Sequence, residues 1–117
     1  MVRVICEQGD IISINFDPSK CHEPAGRHYA VVISPWRINN MSALTLVAPI
    51  TSTNNHYPLH VRIRDGNPVR GYVQCEALRA IDLGAREQQG ALKLTGILDD
   101  LTMEEVMIRV ATVVGLS

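Results

Sequence analysis

Gly9-Asp10-Ile11-Ile12-Ser13-Ile14-Asn15-Phe16-Asp17-Pro18, answered after a loop by Tyr29-Ala30-Val31-Val32-Ile33-Ser34-Pro35, decides how this chain folds. In the first run apolar Ile12, Ile14 and Phe16 alternate with polar or small partners, the period of two that marks a half-buried strand. Asp17-Pro18 ends it, because proline has no N–H for a ladder. The second run is β-branched, hence strand-like, and closes at Ser34-Pro35. Between them residues 19–28 hold Lys20, His22, Arg27 and His28 against a single carboxylate, Glu23, beside Cys21. Such a loop is suited to meeting an anion.

Further along, Trp36 to Ser42 is mixed in character and predicts a turn of helix plus a loop. Leu44 to Ala48 is a third strand, closed by Pro49 and the polar cluster Thr51 to Asn55, so that Thr51 stands at a strand end. From Leu59 to Ile63 the alternation is clean, with Leu59, Val61 and Ile63 on one face and His60, Arg62 and Arg64 on the other. Asp65-Gly66-Asn67-Pro68 is turn chemistry and makes 64–70 a hairpin-like connection. Tyr72 to Cys75 and Leu78 to Leu83 are two more short strands, Arg86 to Gly90 a loop, and Ala91 to Leu98 a last strand. Short strands at this spacing predict a mostly β (α+β) fold, a small closed or nearly closed antiparallel barrel. One helix ends the chain. Thr102 with Glu105 reads as its capping box, Asp99 and Asp100 suit its positive end, and Gly115 stops it. Met103, Val106, Met107, Val110, Val113 and Val114 form one apolar stripe that covers the sheet, the methionines acting as core filler.

The 117 residues, 46% of them hydrophobic, make one domain, 1–117, with enough surface to bury for a core of its own. No apolar run approaches the roughly 18 residues of a membrane span, and the N-terminus lacks a signal-peptide layout. A cytoplasmic protein without a membrane partner is expected. Three cysteines (Cys6, Cys21, Cys75) leave one unpaired and show no C-x-x-C spacing, which argues against a disulfide framework and a zinc site. Neither metal nor cofactor is expected. The net charge of -1 hides a division. Residues 18–64 carry five basic side chains and one acid, hence +4, with all four histidines; residues 99–117 carry one basic side chain and four acids, hence -3. That balance excludes a protein that coats nucleic acid and leaves room for one local anion site.

At this point the residues carry a resemblance. Gly9-Asp10-Ile11, Phe16-Asp17-Pro18, His22-Glu23, Ala25-Gly26-Arg27, Val31-Val32-Ile33-Ser34-Pro35 and Ala48-Pro49-Ile50-Thr51-Ser52, extended by Arg79 to Arg86 and the last helix, resemble the MazF/PemK family of toxin endoribonucleases across nearly the whole chain. The resemblance implies an SH3-like, CcdB-like barrel and the toxin of a toxin-antitoxin module. It implies a homodimer whose groove admits single-stranded RNA and a cognate antitoxin whose extended acidic segment fills that groove. No direct binding to DNA is expected without the antitoxin. The implied activity is metal-independent, sequence-specific cleavage of mRNA, which inhibits translation and growth. Such cleavage needs a group to deprotonate the ribose 2′-OH, charge to stabilise the phosphate, and an acid for the departing 5′ oxygen. Arg27, His28, Thr51, His22 and Glu76 are the catalytic candidates, since imidazole moves protons near neutrality and guanidinium fits phosphate. Lys20, Ser52, His56, Arg62, Gln74, Arg79 and Arg86 are the RNA-binding candidates.

Two departures from the family pattern stand out. The family places one variable residue, its catalytic arginine and a proline after the glycine; here those positions are Arg27, His28 and Tyr29, so either Arg27 or His28 takes the arginine's place. PemK-type members read arginine, cysteine, aspartate, glutamine where this chain has Gln74-Cys75-Glu76-Ala77. The alternative reading is a non-catalytic protein on the same barrel, a degenerate family member or a blocker of a protein target, as the gyrase-poisoning CcdB toxins are. The five aromatics, Phe16, Tyr29, Trp36, Tyr57 and Tyr72, are too few for a general single-strand stacking platform.

Overall fold

The computed structural model describes residues 6–15, 27–88 and 92–116, the side chains of 15, 27 and 86–88 excepted. In chain order its elements are β1 (Asp10–Asn15), β2 (Arg27–Val32), α1 (Trp36–Met41), β3 (Thr45–Thr51), β4 (His60–Arg62), β5 (Tyr72–Gln74), β6 (Arg79–Ile81), α2 (Leu83–Gln88), β7 (Leu92–Ile97) and α3 (Asp100–Val113). Every pairing is antiparallel, in the order β4-β5-β3-β2-β1-β7, with β6 also on β3. Among the described residues β4 and β7 do not pair. The expected small barrel is thus a sheet that, among the described residues, is not closed.

β3 is the pivot. One edge pairs with β2, while the other changes partner along its length: Thr45 to Val47 pair with β6, Ile50 and Thr51 with β5. Pro49 sits inside this strand, opposite Ala30, where the sequence predicts the strand's end. It falls between the two partners of the outer edge, where a missing N–H disturbs the ladder least.

Strand alternation sends the side chains into two cores. Ile11, Val31, Ile33, Ala48, Ile50, Val61, Val73 and Leu98 pack with Val106 and Val110 of α3; Ile12, Ile14, Ala30, Val32 and Val47 pack on the other face with Cys6, Ile81 and Leu83. β1 is therefore not half-buried as its pattern predicts: Ile11, Ile12 and Ile14 have no exposed surface and even Ser13 is buried. It lies between β2 and β7 and contributes to both cores. Met103 and Met107 pack against the first core, in keeping with filler.

Three further differences have local causes. The strand predicted from Leu78 to Leu83 is only β6, and α2 takes up Leu83 and much of the predicted loop. Asp82 starts that helix, its Oδ1 accepting from the Ala85 N–H at 3.0 Å. The cap of α3 is Asp99, whose carboxylate accepts from the Thr102 N–H. Thr102 is fully buried and its hydroxyl accepts instead from the Arg64 N–H at 3.4 Å. The helix ends as predicted at Gly115 (φ 82°), with the Leu116 N–H donating to Ala111 O and the Gly115 N–H to Thr112 O, a Schellman closure. Val113 and Val114, however, are exposed, because the last turn runs past the sheet's cover.

Candidate active site

The outer edge of β3 creates a concavity where β5 and β6 diverge. His28 and Tyr29 of β2, Pro49, Ile50 and Thr51 of β3, the following Ser52, Arg70 ahead of β5, Gln74 of β5 and Arg79 of β6 line a chamber of about 470 Å³. Strand alternation explains the placement of Gln74: its neighbours Val73 and Cys75 have no exposed surface, so Gln74 faces the other way. Two arginines and a histidine border the chamber and, among the described residues, no carboxylate lines it, a balance of charge suited to an anion. Arg70 is exposed and has no hydrogen bond or ion pair among the described residues, and neither Ser52 nor Gln74 has a side-chain hydrogen bond there. Thr51 Oγ1 accepts from the Thr53 N–H at 3.2 Å, leaving its own proton for a ligand oxygen.

The close approach of β3 to β5 is made by a glycine. Gly71 has φ 132°, and an added Cβ would collide with the Thr51 carbonyl oxygen. On the far side of that contact a second chamber, of about 290 Å³, is lined by Ser52, Arg62, Ile63, Asp65, Arg70, Gly71 and Tyr72. Ser52 and Arg70 belong to both chambers, so the two form one groove.

Of the residues proposed from sequence, His28, Thr51, Ser52, Gln74 and Arg79 come together in the first chamber and Arg62 stands in the second, paired with Asp65 at 3.2 Å. Glu76 lines neither. Its carboxylate meets His60 Nε2 at 2.9 Å, the imidazole being buried with its ring edge-on to Tyr57 and its Nδ1 without a partner among the described residues. Pairing of His60 with Gln74 across β4 and β5 carries Glu76 to the flank of the groove. His56 is exposed at φ 57° and also lines neither chamber. Lys20 and His22 lie outside the described residues, as do the side chains of Arg27 at the start of β2 and Arg86 in α2. Arg70 and Tyr29 were not singled out from sequence. The available signal for Arg70 was its neighbour Gly71, a glycine opening a strand, which marks a close backbone approach. Behind the chamber the Cys75 thiol is pushed up to about 11, chiefly by desolvation, and so keeps its proton at neutral pH.

A family model for the PemK-like, MazF-like toxins of type II toxin-antitoxin systems matches residues 7–114. The chain is 34% identical over 115 residues to the endoribonuclease toxin ChpB of Escherichia coli (strain K12), covering 92% of this chain and 93% of that one. It is 38% identical over 82 residues to the endoribonuclease toxin MazF of the same organism, covering 67% and 74%. The fold is similar to that of a chain in the crystal structure of MazE-MazF (Form-II) from Deinococcus radiodurans, with a TM-score of 0.79 and 24% identity over 97% of this chain and 99% of that one. Fold and family match together define a β-domain of the PemK-like, MazF-like toxin type. The chain belongs to the PemK/MazF toxin family, whose curated members matched by it are endoribonucleases.

Proposed function

We propose that this chain is the toxin of a toxin-antitoxin module and cleaves single-stranded RNA at selected sequences by attack of a ribose 2′-OH on the adjacent phosphate. The observation that carries the reading is the chamber in which His28, Arg70 and Arg79 surround Thr51, with no carboxylate among the described residues that line it. A phosphate seated there accepts from the Thr51 hydroxyl and the guanidinium of Arg70, and the same groups meet the charge that grows on its oxygens as the 2′ oxygen attacks. His28 borders the chamber as a proton-transfer group. The 2′-OH loses its proton, the P–O5′ bond breaks, and the departing oxygen takes a proton, giving a 2′,3′-cyclic phosphate and a 5′-OH. The family resemblance adds Lys20 and His22, which precede β2 in the sequence, and Arg27 at the start of β2, and keeps Glu76 as a further candidate.

An acidic antitoxin segment has the same chamber to bind, so toxin and antitoxin association should weaken as salt rises and should compete with RNA. A homodimer is supported by uncovered apolar surface, with Leu94 and Ile97 of β7 exposed beside Trp36 around a hollow of about 580 Å³. The decisive experiment incubates the protein with mixed RNA in chelator and maps the ends. Cyclic-phosphate and 5′-OH ends at a restricted set of sequences are expected. RNA left intact from pH 6 to 8 overturns the nuclease reading in favour of a binding protein on the same fold.

A further inference from the structure

The second chamber differs chemically from the first. It contains a carboxylate, Asp65, beside the guanidinium of Arg62, the buried side chain of Ile63 and the half-buried ring of Tyr72. With Arg70 as well as Arg62 beside this carboxylate, this half of the groove offers both donors and a carboxylate acceptor, which the first chamber's described lining does not. Its parts suit a nucleobase: an aromatic side for stacking, an apolar floor, a donor and an acceptor at the edge. The Arg62–Asp65 pair is i,i+3 and its side chains are 63% and 91% exposed. Exposed pairs of this kind are weak and are readily exchanged for a ligand's polar edge. Ser52 and Arg70 form the wall shared with the first chamber, so neighbouring nucleotides of one strand occupy the two.

We infer that the chamber of Arg62, Ile63, Asp65 and Tyr72 is a base-reading subsite for the nucleotide next to the cleaved phosphate, in which Asp65 accepts from an exocyclic amino group. This rests on the RNA-cleavage reading above. Cytosine, adenine and guanine carry such an amino group and uracil does not, so uracil is the base this subsite disfavours.

The test uses oligoribonucleotides randomised around one cleavable linkage, cut by the parent, Asp65→Ala and Arg62→Ala proteins, with the ends mapped. Both side chains are exposed, so thermal melting should show all three proteins equally folded. The parent should discriminate against uracil at one flanking position by roughly 10- to 100-fold, the scale of one base-edge contact. Asp65→Ala should abolish that discrimination while leaving preferences at other positions intact. A second arm measures affinity for oligonucleotides made uncleavable by a 2′-deoxy sugar at the reacting position; cytosine should bind more tightly than uracil in the parent and equally in Asp65→Ala. Unchanged base preferences in both variants overturn the subsite, as does a uniform loss of cleavage across all sequences. A parent that neither cuts nor binds RNA overturns the nuclease reading itself, and is thereby distinguished from failure of the subsite alone.

Discussion

Gly71 lies directly against the carbonyl oxygen of Thr51, with no room for a methyl group between them. The contact brings the residue ahead of β5 onto the end of β3 and so places Arg70 at the wall of both chambers. Gly66, at φ 95°, has open space around its Cβ position instead. Gly66→Ala should therefore cost about 1 kcal/mol, the conformational strain alone, whereas Gly71→Ala should cost roughly 3 kcal/mol or more by adding the collision. Urea unfolding of the two variants reads the difference; equal losses would show that the Thr51 contact is not what constrains position 71.

Arg70 tests the electrostatic core of the mechanism. Arg70→Ala should lower kcat/KM by on the order of 100-fold, the scale for losing one transition-state charge donor. Its stability should change by no more than about 0.5 kcal/mol, since the side chain is an exposed one. Parallel Arg27→Ala and His28→Ala measurements decide which of the two takes the place of the family arginine, the larger loss identifying it.

Glu76 separates a structural role from a catalytic one. Its carboxylate is the partner of the buried His60 imidazole, whose other nitrogen has none among the described residues. Glu76→Ala should destabilise the fold by about 1–3 kcal/mol, the penalty for a polar group left unpaired, and should reduce cleavage of RNA far less than Arg70→Ala does. A loss of cleavage equal to that of Arg70→Ala, at unchanged stability, would instead place Glu76 in the reaction.

Asp99 links α3 to pH. Hydrogen bonds from Thr102 and Asn67 hold its carboxyl below the ordinary value of 3.8. A depressed carboxyl contributes stability above its unfolded-state value and loses it as pH falls through the lower folded-state value. Asp99→Ala should cost about 1 kcal/mol at neutral pH, the usual loss for an N-cap, and should flatten the fall in stability on the acid side of pH 3.8. Denaturant midpoints measured from pH 2 to 7 check both expectations.

Cys6 and Cys75 are buried, and desolvation pushes both thiols up to about 11. Neither should react with an aromatic disulfide reagent at pH 8 in the native protein, and both should react once it is unfolded, as mass spectrometry of the labelled peptides would show.

Local patterning determined much of this protein. The paired runs around β1 and β2, the turn at Asp65-Gly66-Asn67-Pro68 and the stop at Gly115 all follow from alternation, proline, glycine and turn chemistry over a few neighbouring residues. His28, Thr51, Ser52, Gln74 and Arg79 were legible as candidates because the family motifs mark them singly. Only the tertiary structure decided which residues share a site. β3 changes partner along its outer edge, and that switch, between strands distant in the chain, brings Arg70 beside Thr51 and carries Glu76 away to His60. The placement of β1 between β2 and β7, with a core on each side, likewise buries both of its faces, whose pattern alone predicts one. A period of two records which side of a strand a residue takes; whether that side meets a core, a groove or another charge is set by pairing between strands far apart in sequence, which local pattern does not encode.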